Sequence, residues 1–262
     1  MERIQVRHAL IALALTAFAA LGTVALLLVL GPDWSVYAPA TCTATRCFCE
    51  MPRIGSLILQ PADSWSSLGF VFAGFLMMVL ARAPARGSAM APVAAMAFGI
   101  TAVIVGLGSL LLHATLTLWG QFFDVLGMYL VGCFLLVSAL SRWKGIPDRH
   151  AIALYVLLCA ALVAVLIAAP EARRWLFAVV LIAAIAVELG LARPRRPGAR
   201  LRFYGAGILV NAIAFGIWNL DQHGLVCTPS SLVQGHAVWH LLGAVATWLT
   251  FAYYRSERTV TL

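Results

Sequence analysis

The sequence consists almost entirely of apolar runs, each about as long as a lipid bilayer is thick, separated by short polar turns. Hydrocarbon offers no water to main-chain N–H and C=O groups, so such runs must satisfy their own hydrogen bonds as helices. A helix needs roughly 20 apolar residues to cross. By that measure the chain reads as eight spans, approximately residues 9–31, 64–82, 90–112, 120–140, 151–169, 174–192, 203–219 and 235–253. Composition agrees: 63% of the residues are hydrophobic and only 11% charged, against about 25% charged in a soluble domain. The expected fold class is an all-α integral membrane bundle, a seven-span core preceded by one extra N-terminal transmembrane helix.

The first run follows Glu2, Arg3 and Arg7, as a signal peptide would, and Ala38-Pro39-Ala40 could mimic a cleavage site. Its length exceeds the roughly 7–15 residues of an h-region, so it reads as a retained anchor. Basic residues gather on the cytoplasmic side of membrane proteins. With the N-terminus inside, 14 of the 18 Lys and Arg residues fall in the cytoplasm, and only Arg46, Arg53, Arg173 and Arg174 fall outside. That bias favours an even number of spans, with both termini cytoplasmic. It also accounts for the net charge of +8 through orientation and anionic headgroups, with no nucleic acid as partner. Compact loops and an Arg-rich inner face point to a bacterial inner membrane.

On this topology residues 1–32 are the cytoplasmic N-terminus and extra helix, 33–63 an exterior cap loop, 64–254 the seven-span core and 255–262 a cytoplasmic tail. Cys42, Cys47, Cys49 and Cys227 fall in exterior loops, whereas Cys133 and Cys159 lie within spans as packing residues. An oxidising exterior favours disulfides over a Cys-rich zinc loop built from Cys42, Cys47 and Cys49. Four cysteines allow three pairings. A bond between Cys47 and Cys49 would close a strained ring, which leans toward Cys49 with Cys227 and Cys42 with Cys47 and leaves the third pairing open.

Against this apolar background a few polar residues stand out. Ser109 and His113 are four apart at the outer end of the third span, and His236 and His240 are four apart at the start of the eighth. On a helix each pair shares one face. Asp124 opens the fourth span, eleven residues after His113, so all five side chains are expected at one depth in the outer half of the membrane. Ionisable groups there are costly and rarely kept without a role. Three neutral imidazoles leave a fourth tetrahedral position for water, the arrangement of catalytic zinc. Asp124 could then act as general base and acid, and Ser109 could donate to a developing oxyanion. Taken singly, each residue has a plainer reading: Ser109 as helix packing, Asp124 as a cap on the fourth span, and His8, His150 and His223 as interfacial residues. Glu188, late in the sixth span, has no partner evident in the sequence.

The string Gly108-Ser109-Leu110-Leu111-Leu112-His113-Ala114-Thr115-Leu116-Thr117, then Gln121-Phe122-Phe123-Asp124 and later His236-Ala237-Val238-Trp239-His240, resembles the alkaline ceramidase family, within a superfamily that includes the adiponectin-type receptors. The resemblance covers about residues 47–254. It implies zinc on His113, His236 and His240, with Ser109 and Asp124 beside the zinc-bound water. It further implies hydrolysis of the amide bond of ceramide-like lipids to a sphingoid base and a fatty acid; such a lipid is expected to enter from the bilayer, since its tails would stay in hydrocarbon. In the family a pair like Cys49-Glu50 precedes the first core span and its cysteine is bonded to a late exterior loop, which suits Cys227. Eukaryotic members also carry a calcium site. Here the corresponding segment reads Gln60-Pro61 and Asp63-Ser64-Trp65-Ser66-Ser67, leaving Glu50 and Asp63 as the calcium candidates, a thin set for an ion that prefers several hard oxygens. Two rival functions share these residues: a receptor of the same superfamily, and an electron-transfer protein holding haem between His113 and His236.

Overall fold

The computed structural model describes residues 5–45, 48–82, 87–169, 172–192 and 198–258. Cys47 and the arginines at 3, 46, 86, 193, 195 and 196 lie outside them. The described residues form nine α-helices: α1 Val6–Leu30, α2 Pro61–Ser66, α3 Leu68–Ala81, α4 Pro92–Thr115, α5 Leu118–Lys144, α6 Asp148–Ala168, α7 Arg173–Gly190, α8 Leu201–Gln222 and α9 Gly235–Ser256. Six stretches are long and apolar enough to cross a membrane: α1, α2 continued by α3, α4, α5, α6 and α8. The apolar part of α7, Trp175–Gly190, is shorter. Helix α9 is long enough but less apolar, because it carries His236, His240 and two threonines.

The span expected to open at residue 64 opens instead at Pro61, a good first helical residue because its missing N–H is not needed there, and breaks at Ser67 into α2 and α3. The span expected to end at 112 runs on to Thr115, which brings His113 inside α4. Its C-cap Leu116 is left-handed (φ 49°), uncommon for leucine. Two hydrogen bonds hold it: its N–H donates to Leu112 O at 2.7 Å, and its own carbonyl accepts from Ala40 N at 2.8 Å.

That contact belongs to a wider stitching of the cap loop onto the end of α4. The last carbonyls of a helix have no partner within it. Here Leu59 N donates to Ala114 O (2.9 Å) and Gln60 N to His113 O (3.1 Å), while Leu118 N reaches back to Ala38 O (2.7 Å). The cap is therefore seated on the turn between α4 and α5. A bond from Cys49 to Cys227 ties it to the segment before α9, where Met51 N also donates to Pro229 O at 3.0 Å. Cys42 is disulfide-bonded too, while its expected partner Cys47 lies outside the described residues.

Helices α4 and α5 lie almost in backbone contact. A Cβ on Gly108 would collide with Phe123 O, and one on Gly127 would sit 2.7 Å from Val105 Cα. Helix α4 also packs on α3, and both touch α9; α8 packs chiefly on α9, while α6 and α7 pack chiefly on α5. Helix α1 lies against α3, and the residues it buries are His8, Ala12, Thr16, Thr23 and Leu27. Its threonine hydroxyls are satisfied by Ala12 O and Ala19 O one turn back.

At the end of the bundle away from the histidines, Glu188 is not alone. Its side chain is fully buried against Arg142 Nη1 at 2.8 Å and accepts from Tyr253 OH at 2.6 Å. Arg142 also reaches Glu257 at 3.5 Å, and its guanidinium lies 5.0 Å from the centre of the Tyr253 ring. The network links α5, α7 and α9.

Candidate metal centre

His113 is carried to the floor of the cap by the last turn of α4, and His236 and His240 by the first two turns of α9, as their spacing of four requires. All three are buried. They form the one group of three or more His, Cys, Asp or Glu among the described residues that could hold a metal ion, their ligand atoms lying within 4.8 Å of one another. His113 Nε2 and His236 Nε2 are 3.1 Å apart. Two nitrogens about 2.0–2.1 Å from one tetrahedral zinc stand roughly 3.3 Å apart, so this pair is nearly at coordination distance. The same spacing leaves no room for a porphyrin plane between His113 and His236, which speaks against the haem reading.

Hydrogen bonds fix which nitrogen two of the rings present. His240 Nδ1 lies 3.0 Å from Asp63 O, a carbonyl that can only accept. The ring therefore carries its proton on Nδ1 and leaves Nε2 free, 3.1 Å from Ser109 Oγ. His113 Nδ1 faces Gln60 Oε1 at 3.1 Å, and the Gln60 amide is itself oriented because its Nε2 donates to Glu50 O at 2.7 Å. Both rings thus turn Nε2 inward, held by the outer-shell hydrogen bonds that metal-binding histidines typically have. Phe48 closes the site from the cap side, its ring centre 4.4 Å from that of His113 and 4.3 Å from that of His236. Behind Phe48 and Gln60 lies a cleft of about 340 Å³, also lined by Thr43, Glu50, Met51 and Pro229.

Ser109 joins the histidines and lies 3.1 Å from Ser67 Oγ. Asp124 is half-buried on the second turn of α5, outside the histidine cluster. Its main chain packs on Gly108, the neighbour of Ser109. Of the two calcium candidates, Glu50 is committed to α2, where its carboxylate oxygens accept from Ala62 N and Asp63 N, each at 2.9 Å. Asp63 faces the histidines, with Oδ2 3.8 Å from His113 Nδ1. Sequence reasoning missed Gln60, Ser66, Ser67 and Phe48 as parts of this centre. Ser66 Oγ lies 2.8 Å from His240 Nδ1. These residues sit on a short helix and a loop whose periodicity says nothing of what they face.

The ceramidase family model matches residues 40–261 of the chain. The chain belongs to the ceramidase family. Membership implies a hydrolase acting on the amide bond of ceramide and agrees with the membrane-type helices. The matched region of this ceramidase-family chain takes in the cap from residue 40 and every helix from α2 to α9, with α1 ahead of it. Among curated proteins none matches the chain.

Proposed function

We propose that the chain is a zinc-dependent intramembrane amidohydrolase that cleaves ceramide-like lipids to a sphingoid base and a free fatty acid. The observation that carries this reading is the convergence of three buried imidazoles, two with their Nε2 atoms 3.1 Å apart and two with their outer nitrogens already bound to fixed acceptors. A zinc ion held by His113, His236 and His240 supplies Lewis-acid chemistry, activating water near neutral pH and polarising the amide carbonyl. Ser109 donates a hydrogen bond to the carbonyl oxygen as it gains negative charge. Asp124 takes a proton from the attacking water and delivers it to the leaving nitrogen. The C–N bond breaks as a C–O bond forms. The hydroxyl stays on the fatty acid, and the transferred proton leaves on the amine.

The lipid enters sideways from the bilayer, its tails staying in hydrocarbon. Water comes from the cap side, where a cleft reaches Phe48 and Gln60, the residues that back onto the histidines. The basic-residue bias favours the exterior half of the membrane for this end of the bundle.

The test is metal content by mass spectrometry of the detergent-purified chain, with fatty-acid release from ceramide. About one zinc per chain is expected, lost in a His236→Ala, His240→Ala double variant. Asp124→Asn should keep the metal and lower turnover about 100-fold or more. Near-normal turnover in that variant removes Asp124 from the mechanism, and a chain prepared without chelator that holds no metal overturns the zinc reading.

A further inference from the structure

Asp63 is the most deeply buried carboxylate of the described residues, at 0% exposure, and its side chain serves no evident structural role. Neither oxygen makes a hydrogen bond of normal geometry, the Ala237 N–H being the main-chain donor beside it. It does not cap α2, because Glu50 already does so through Ala62 N and Asp63 N. Nor does it hold the start of α9, where Gly235 N donates to Asp221 Oδ1 at 3.0 Å. Instead the carboxylate lies beside His113, Oδ2 to Nδ1 3.8 Å, while the same residue's carbonyl accepts from His240 Nδ1 at 3.0 Å. One residue thus touches two of the three histidines, by its side chain on one and its main chain on the other.

A buried carboxylate left unpaired is unfavourable, and its charge is retained where a cation lies near. The neighbouring carboxylates, Glu50 and Asp221, are also buried, so the surroundings add negative charge rather than neutralise it. No Lys or Arg faces Asp63 in an ion pair among the described residues. The cation that fits this surplus is one seated on the inward Nε2 atoms of the histidines.

We propose that Asp63 is a positioning residue of the metal centre: its carboxylate, 3.8 Å behind His113 Nδ1, provides the fixed negative charge that tightens cation binding by the three histidines. The proposal rests on the zinc reading above. It assigns Asp63 to the histidine centre and away from any calcium site.

Asp63→Asn keeps the shape of the side chain and removes the charge. Zinc affinity of the full chain in detergent is measured by competition with a chelator, and thermal unfolding is followed on the metal-stripped chain. The expected result is about one zinc in both proteins, an affinity 10- to 100-fold weaker in the variant, and a melting temperature of the stripped variant equal to or above that of the stripped parent. A purely structural role would lower the melting temperature of the stripped variant, and that outcome overturns the proposal. So does an unchanged affinity. A parent chain that binds no zinc overturns the zinc reading itself, and the proposal with it. Should Asp63→Asn not yield folded protein, Asp63→Ala removes the same charge and is judged by the same two measurements.

Discussion

Replacing Arg142 by Met would leave Glu188 as a fully buried carboxylate with only Tyr253 OH, at 2.6 Å, to offset its charge. Breaking a buried ion pair from one side costs about 3–5 kcal/mol, because the stranded charge keeps its desolvation penalty. The reverse change should cost less. In Glu188→Gln the guanidinium is 14% exposed and still has Glu257 at 3.5 Å, so a loss of about 1–2 kcal/mol is expected, the scale of hydrogen bonds to a charged group. In the double variant Arg142→Met, Glu188→Gln no charge is stranded, and most of the loss caused by Arg142→Met alone should be recovered. At about 2–4 °C per kcal/mol for a chain of this size, Arg142→Met should lower the melting temperature in detergent by about 6–20 °C, and the double variant by far less. Arg142 lies 18 residues along α5 from Asp124, about 27 Å at 1.5 Å per residue, so zinc content in the surviving folded protein should not change. If Arg142→Met lowers the melting temperature by the same amount in the parent and in the Glu188→Gln background, the two side chains are not coupled and the argument fails.

Gln60→Leu removes the acceptor that orients His113, and should weaken zinc binding about 10- to 100-fold in a chelator competition while Cys49 stays bonded to Cys227; an unchanged affinity would show that the amide does not position the ring. Glu50→Gln loosens the clamp on α2, which carries Asp63, Ser66 and Ser67 to the site, and should lower the melting temperature of metal-loaded and metal-stripped protein alike. A loss confined to the loaded form would instead place Glu50 among the residues that serve the metal.

How much of the centre could be read from the chain depends on the range of each interaction. Ser109 with His113, and His236 with His240, were legible because a helix repeats every 3.6 residues and returns residues four apart to one face. The ends of α4 and α2 were less so. Helix α4 continues through His113 to a left-handed Leu116 because the cap accepts and donates at its last turn, an effect with no local signature. Glu188 looked unpartnered for the same reason: Arg142 is remote in sequence and meets it only once α5 and α7 pack.

The apolar runs and their polar interruptions by themselves determined that this protein is a helical membrane bundle with histidines, a serine and an aspartate gathered toward one end, since hydrophobic length and helical periodicity are local properties. Only the tertiary structure decided which nitrogen His113 and His240 turn inward, that Gln60 and the Asp63 carbonyl hold those two rings, that Glu50 braces α2, and that Asp63 faces His113. Those outcomes depend on contacts between segments from 12 to 177 residues apart, whose partners are chosen by packing and leave no periodic trace in the chain.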